Sequence, residues 1–345
     1  MRVLVTGSAG FIGSAVTDAL LARGDEPVRV DVMLSQAHGA AEPPPDTHRL
    51  DVRDVAEWRH LLDGVDAVCH QSALVGAGVR VADLPDYASH NDLATAALLA
   101  AMHDAGVHRL VLASSMVVYG EGRYTCPEHG LRSPSARDRA RLDAGHFDNA
   151  CDGCGRDLRW ELVNESAPID PRSAYAASKA AQEHYAAAWA RHAGGGVVAL
   201  RYHNVYGPGM PRDTPYSGVA AMFRSALERG DPPRVFEDGG QMRDFVHVAD
   251  VARANLAALD AVVDDGRVAA YNVCSGTPVS IHEVAALVAD GTGTGLVPEV
   301  TGEYRVGDVR HIVASPARAG SELGFRAEVA PDVGLPAFAT APLRA

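Results

Sequence analysis

RVLVTGSAGFIG, residues 2–13, changes character at Gly7. Before it lies a short apolar run; after it come glycines at 10 and 13 and an amphipathic segment carrying Phe11, Ile12, Val16, Leu20 and Leu21. The pattern predicts a strand, a tight turn and a helix. In such a unit the glycines permit the turn, a close backbone approach to a pyrophosphate and close helix packing, while the helix N-terminus faces the phosphates. PVRVDVM, residues 27–33, predicts a second strand with Asp31 near its end, eighteen residues past Gly13. An acid there accepts a hydrogen bond from a ribose 2′-hydroxyl and repels a 2′-phosphate, which points to NAD rather than NADP. Gly7, Gly10, Phe11, Ile12, Gly13 and Asp31 are therefore the expected cofactor residues. The plainer reading of the same stretch is a turn of glycines and a solvated aspartate.

Working outward, apolar runs at 2–6, 28–32, 66–69, 109–113 and 197–202 alternate with helical patterns, as in an α/β fold with a doubly wound parallel sheet. Pro43, Pro44 and Pro45 mark a loop between the second and third strands. Asp51, Val52, Gln71, Ser72 and Ala73 fall at the carboxyl ends of the third and fourth strands, where open α/β sheets bind ligands, so they too should line the NAD pocket. With 345 residues, 47% of them hydrophobic, the chain can bury a large core in one or two domains. A net charge of −13 argues against nucleic acid or an anionic membrane surface as partner. No apolar run approaches the ~20 residues of a membrane span. The first strand starts at Arg2, leaving no room for a signal peptide. These features predict a cytoplasmic protein whose 5 cysteines are reduced or bound to metal. No internal repeat is evident.

SAYAASKAAQEH, residues 173–184, holds the only lysine of the chain, Lys179, four residues after Tyr175. Its alanine-rich surroundings predict a helix, on which positions four apart share a face. The pair could be a simple helix-surface contact. It could also place a compact ammonium beside a phenol, a task the planar, delocalised guanidinium performs poorly.

VLASSMVVYG (111–120), Tyr175-x-x-x-Lys179, LRYHNVYGPG (200–209), RDFVHVAD (243–250) and EYRVGDVRH (303–311), added to the glycine turn, resemble the extended short-chain dehydrogenase/reductase superfamily in its NAD-dependent nucleotide-sugar epimerase and dehydratase branch. The resemblance covers nearly the whole chain except about 121–168. It implies a Rossmann-type NAD domain over 1–120 and 169–206, a cysteine-bearing insertion over 121–168, and a smaller α/β domain for the nucleotide sugar formed mainly by 207–345. It further implies that Ser115, Tyr175 and Lys179 are catalytic, with Tyr175 the general base and its phenol acidified by Lys179, which also holds the nicotinamide ribose. Asn204, Arg243, Arg305 and Asp308 would bind the nucleoside diphosphate, and Ser115 and Met116 the sugar. Relatives that dehydrate place an acid and a glutamate directly after the serine; here stand Met116 and Val117, so oxidation and re-reduction at C4 is expected instead. YHNVYGPGMPRDTPYSGV (202–219), with His203 where many relatives carry phenylalanine, and the insertion are similar to bacterial dTDP-L-rhamnose 4-epimerases. A UDP-hexose or UDP-uronate substrate stays open, as does a non-catalytic NAD-binding scaffold. Relatives commonly dimerise through helices that correspond here to 91–105 and 175–191, so a homodimer is expected.

CPEHG (126–130) and CDGCG (151–155) present Cys126, His129, Cys151 and Cys154, a Cys-x-x-His and a Cys-x-x-Cys with 21 residues between His129 and Cys151. Three thiolates and an imidazole make a closed, structural zinc site of knuckle type. His146 could compete as a ligand, and a flexible loop with reduced cysteines is the plainer reading. The segment between the pairs is rich in arginine and too poor in apolar residues to be expected to form a core of its own. Cys69 and Cys274 lie in apolar strand contexts and are expected in the core.

Overall fold

In the computed structural model, residues 1–76, 78, 80–212, 218–263 and 265–344 are described. Residues 213–217, part of the 202–219 motif, lie outside them. The chain opens with β1 (Arg2–Thr6), α1 (Phe11–Arg23) and β2 (Glu26–Asp31), followed by β3 (Thr47–Arg49), β4 (Ala67–His70), α2 (Ala94–Asp104) and β5 (Arg109–Ser115). Three short strands of the insertion follow: β6 (Arg123–Cys126), β7 (Gly130–Arg132) and β8 (Arg159–Glu161). Then come α3 (Ala174–Ala193), β9 (Gly196–Tyr202), β10 (Asn204–Tyr206), α4 (Val219–Glu228), β11 (Arg234–Val235), β12 (Met242–His247) and α5 (Val248–Ala261). The last part holds β13 (Val268–Val273), β14 (Pro278–Ser280), α6 (Ile281–Thr292), β15 (Glu299–Val300), α7 (Ala317–Glu322) and α8 (Pro331–Phe338).

Seven strands in the order β13-β9-β5-β4-β1-β2-β3 form one sheet, every pair parallel. Because side chains alternate along a strand, β1 sends Val3 and Val5 to one face and Leu4 to the other. The first face packs on α1 through Val16 and Leu20 and on α5 through Val251, Ala254 and Ala258. The second packs on α2 through Leu98 and Met102 and on α3 through Ala186 and Trp189. Covering both faces is what a parallel sheet requires, and it explains why the inner strands read as apolar runs. β13 did not read as one, because it is an edge strand whose Val268 is exposed and whose buried Asn272 accepts from the Tyr119 hydroxyl at 2.7 Å. Residues 248–273 thus pack with the large sheet. α7 joins them through Ala319, with Phe325 beyond it, while most of the other C-terminal residues build a smaller unit around β10-β12-β14, with Tyr206, Phe223, Phe245, Val284 and Phe338 in its core.

The strand order turns back between β1 and β4, and the loops leaving their carboxyl ends meet there. Gly7 is left-handed (φ 67°), and a Cβ on it would lie 2.7 Å from Ser72 N; a Cβ on Gly13 would lie 1.9 Å from the Gly7 carbonyl oxygen. Only glycine fits either place. α3 starts at Ser173, whose hydroxyl accepts from Ala176 N at 3.1 Å, so the helix bearing Tyr175 and Lys179 is fixed at its first turn. Cys69 and Cys274 are buried, as expected.

The insertion is built from the residues that flank the segment between the two ligand pairs. It forms a three-stranded antiparallel sheet, β7-β6-β8, and a small core of Tyr124, Cys126, Cys151 and Leu158, with Trp160 packed against it. The core escaped notice in the sequence because two of its members are cysteines, which here do the packing of small hydrophobes.

Candidate functional site

A cavity of about 740 Å³ opens over the carboxyl ends of the large sheet. Gly7, Gly10, Phe11, Ile12, Gly13, Asp31, Asp51, Val52, Gln71, Ser72 and Ala73 all line one part of it. α1 begins there without a side-chain cap and without an acid in its first turn, leaving its N-terminal N–H groups to a ligand. Asp31, 5% exposed, accepts from Ala9 N at 3.0 Å and Met33 N at 2.8 Å, and His38 Nε2 stands 3.5 Å away. Burial opposes its charge, but the contact with His38 and the two backbone donors outweigh that and hold the carboxyl below its ordinary range. Asp51 is clasped by Arg53, with Nη2 at 2.6 Å from Oδ2. Arg344 was not foreseen: its guanidinium crosses from the far end of the chain to donate to Ala9 O and, at 3.3 Å, to Ser14 Oγ. No local signal in the sequence marks it, since its place depends on the pairing of Pro211 with Arg344. An ionised acid at one end and unshielded helix N–H groups in the middle suit a dinucleotide.

At the other end of the cavity stand Ser115, Met116, Tyr175 and Lys179. The Ser115 hydroxyl faces the Tyr175 phenol across the cavity and accepts from Val117 N at 3.4 Å. Lys179 Nζ lies 6.0 Å from the centre of the Tyr175 ring and donates to Ala113 O at 2.8 Å. In the protein chain alone, burial pushes the Tyr175 phenol up to about 12, opposed by the Ser115 hydroxyl. Burial likewise pulls Lys179 down to about 7, against the pull of Glu183. Glu183 is itself occupied, its two oxygens 2.9 and 2.7 Å from the Arg201 guanidinium. His70, pulled down to about 3 by burial and then by Lys179, bridges Thr6 (2.6 Å) and Thr95 (3.0 Å) as a neutral ring.

A second cavity, about 700 Å³, adjoins the first and shares Asn204 and Arg305 with it; Arg243 and Asp308 complete the expected set. Among the described residues, Asn204 Oδ1 and both ring nitrogens of the buried His203 have no partner, which leaves each to a ligand. Arg305 stacks its guanidinium 5.0 Å over the Phe236 ring. Arg243 spends hydrogen bonds on the carbonyls of Met242 (2.9 Å), Arg310 (2.9 Å) and Val309 (2.6 Å), which ties the 303–311 segment to β12. Phe236 carries no motif signal and was missed, and Arg310, though inside the 303–311 motif, was not singled out.

The insertion gathers Cys126, His129, Cys151 and Cys154, with one ligand atom from each, all within 4.8 Å of one another. His129 Nδ1 is 3.5 Å from both Cys126 Sγ and Cys151 Sγ, and Cys126 Sγ is 3.6 Å from Cys154 Sγ. A tetrahedral zinc with ordinary bond lengths has edges of about 3.5 Å between sulfur and nitrogen and about 3.8 Å between sulfurs. The donors therefore already stand at zinc spacing. A Cβ on Gly153 would lie 3.0 Å from the His129 ring, so that glycine lets the second knuckle close over the imidazole. His146 does not join the cluster.

Among the described residues, no helix is long and apolar enough to cross a membrane. The chain is 33% identical to the dTDP-L-rhamnose 4-epimerase of Burkholderia thailandensis over 336 residues, 94% of this chain and 90% of that one. Its structure is similar to the Thermus thermophilus UDP-glucose 4-epimerase complexed with NAD (TM-score 0.75, 32% identity, 98% of each chain). It is also similar to MoeE5 in complex with UDP-glucuronic acid and NAD (TM-score 0.75, 31% identity, 97% and 96% of the chains). The model of the family described as NAD dependent epimerase/dehydratase matches residues 3–137 and 155–274, passing over 138–154 within the insertion. With the glycine turn, Ser115, Tyr175 and Lys179 all on one cavity and the family pattern spanning most of the chain, the protein belongs to the NAD dependent epimerase/dehydratase family.

Proposed function

We propose that this NAD-dependent sugar-nucleotide epimerase inverts C4 of a dTDP-linked 6-deoxyhexose such as dTDP-L-rhamnose, through a 4-keto sugar. The observation that carries the reading is the pair Met116 and Val117 beside Ser115 in the cavity. Neither side chain can move a proton, so the second acid-base pair that dehydration needs is missing, and apolar Met116 suits a sugar without a charge or hydroxyl at C6. The 33% identity to a dTDP-L-rhamnose 4-epimerase supports the same substrate.

NAD, when bound, supplies the hydride acceptor and donor. Gly7, Gly10, Phe11, Ile12 and Gly13 would hold its pyrophosphate, Asp31 its adenine ribose, and Lys179 the other ribose. Tyr175 takes the proton of the C4 hydroxyl and returns it, with Ser115 sharing that proton. Asn204, Arg243, Arg305 and Asp308 bind the nucleoside diphosphate half, guanidinium groups matching phosphate oxygens. Cys126, His129, Cys151 and Cys154 hold a structural zinc; their spacing supports this. The protein works in the cytoplasm as a homodimer, takes a nucleotide sugar as its ligand, and engages neither nucleic acid nor membrane.

Incubation with dTDP-L-rhamnose, UDP-glucose and UDP-glucuronate, followed by NMR of C4, tests the reading. The C4 epimer of dTDP-L-rhamnose is the expected product. Turnover of a UDP sugar alone would shift the assignment to a UDP-hexose or UDP-uronate epimerase, a reading the UDP-sugar complexes of the structural relatives favour. Bound NAD with no turnover of any would leave the scaffold reading.

A further inference from the structure

The insertion does more than fold on itself: it grips the segment that carries Arg305 and Asp308. Buried Glu121 accepts from the backbone N–H of Arg310 at 3.1 Å and from Asn149 Nδ2 at 3.0 Å, and the Tyr124 hydroxyl accepts from His311 N at 3.0 Å. Arg137 reaches out of the insertion to the carbonyl of Asp308 (2.7 Å) and pairs with Glu237 at 2.8 Å, both side chains at most 5% exposed. Asp148 takes Arg310 Nε at 2.8 Å and faces His311 Nε2 at 3.3 Å. Arg310, in turn, is shared with Glu237 and Asp238 at 2.8 Å each. Arg137, Asp148 and Asn149 all lie between Cys126 and Cys151, so the cysteines and His129 close the base of the gripping loop, next to the pairing of β6 with β8.

A loop tied at its base spends less entropy in holding its contacts than one left open. Opening the base loosens Arg137 and Asp148 together, and with them one side of the 303–311 segment, whose other side Arg243 holds to β12. We propose that metal held by Cys126, His129, Cys151 and Cys154 closes the insertion so that it sets the position of residues 303–311, making occupancy of the metal site a determinant of affinity for the nucleoside diphosphate. Arg137 is the positioning residue that transmits the grip. The inference rests on reading the second cavity as the nucleoside diphosphate site.

The test uses the full chain, with UDP and dTDP as probes in calorimetry, and with zinc content and bound NAD measured on the same samples. The wild-type chain should contain about one zinc, as four protein ligands to one tetrahedral ion require. Replacing Cys151 and Cys154 together by serine should remove the zinc, leave NAD in place, and weaken the better-binding nucleotide at least about 10-fold, the usual scale for losing an interaction between sites. Arg137→Gln should keep both zinc and NAD yet weaken the nucleotide similarly, and Arg137→Lys, which restores a charge facing Glu237, should recover part of the loss. The Arg137 variants decide the matter if the cysteine variant fails to fold. Wild-type nucleotide affinity in a zinc-free chain, unchanged affinity in Arg137→Gln, or wild-type protein without metal each overturns the proposal. A wild-type chain that binds neither probe removes the reading of the cavity itself, and shows this before any variant is made.

Discussion

Lys179 is the single lysine of the chain, 3% exposed, and its Nζ has one protein acceptor, Ala113 O at 2.8 Å. A guanidinium is wider and cannot place one compact charge at that point. Lys179→Arg is therefore expected to lose turnover although it keeps the charge, and Tyr175→Phe should cut kcat by about 10²–10⁴ while NAD stays bound. Normal kcat in Lys179→Arg would contradict this account of the residue. Burial gives Lys179 a second, thermodynamic signature. The unfolded chain keeps the lysine proton up to the ordinary 10.5, whereas the folded chain holds it only up to about 7. Between those values the unfolded state binds more protons, so stability rises with pH, at most by about 1.4 kcal/mol per unit. Urea denaturation of cofactor-stripped protein should show wild type gaining on Lys179→Met from pH 7 to pH 10; a constant difference between the two would mean the amine is not desolvated. Tyr175 and Lys179 were legible in the sequence because their spacing and setting are local. The depth of burial of the pair was not, since it depends on how much water the fold removes.

At the scale of elements, the glycine turn was fully legible, because Gly7 and Gly13 sit where no other residue fits. Gly13→Ala tests this: its Cβ would fall 1.9 Å from Gly7 O, so α1 must shift off the sheet. A loss of about 1–3 kcal/mol, as for other overpacked sites, and of bound NAD is expected; an unchanged melting point with NAD retained would show that the turn adapts. The two cysteine pairs were legible for the same local reason. Missed instead were features made by distant parts of the chain: β13, whose membership in the sheet shows only in its pairing with β9, and the grip of Glu121, Arg137 and Asp148 on residues 303–311. Charged residues in an arginine-rich stretch read as solvated until the structure brings Glu237 to Arg137 at 2.8 Å.

At the scale of the whole molecule, α2 and α3 lie side by side on one face of the sheet, joined by buried polar bonds from Asn91 to Ser178 (2.8 Å) and from Gln182 to Thr95 (2.7 Å). The outer side of the pair carries small and apolar residues beside exposed His184. Leu93 is 56% and Tyr185 47% exposed, with Ala177 and Ala188 also at the surface. Such a face lets two more helices approach closely, and a second copy related by a two-fold axis would present the same face in return, building a four-helix contact. A chain of net charge −13 gains nothing from long-range attraction to its own copy, so association through this face has to come from apolar burial at close range. An arginine at each of the two large apolar positions should then undo it. Light scattering at micromolar concentration is expected to give twice the chain mass for wild type and the single-chain mass for Leu93→Arg combined with Tyr185→Arg. The variant should keep its NAD, because both substituted side chains point away from the cavity holding Tyr175. A monomeric wild type would remove the dimer altogether, and a variant that still dimerises would move the interface to another face.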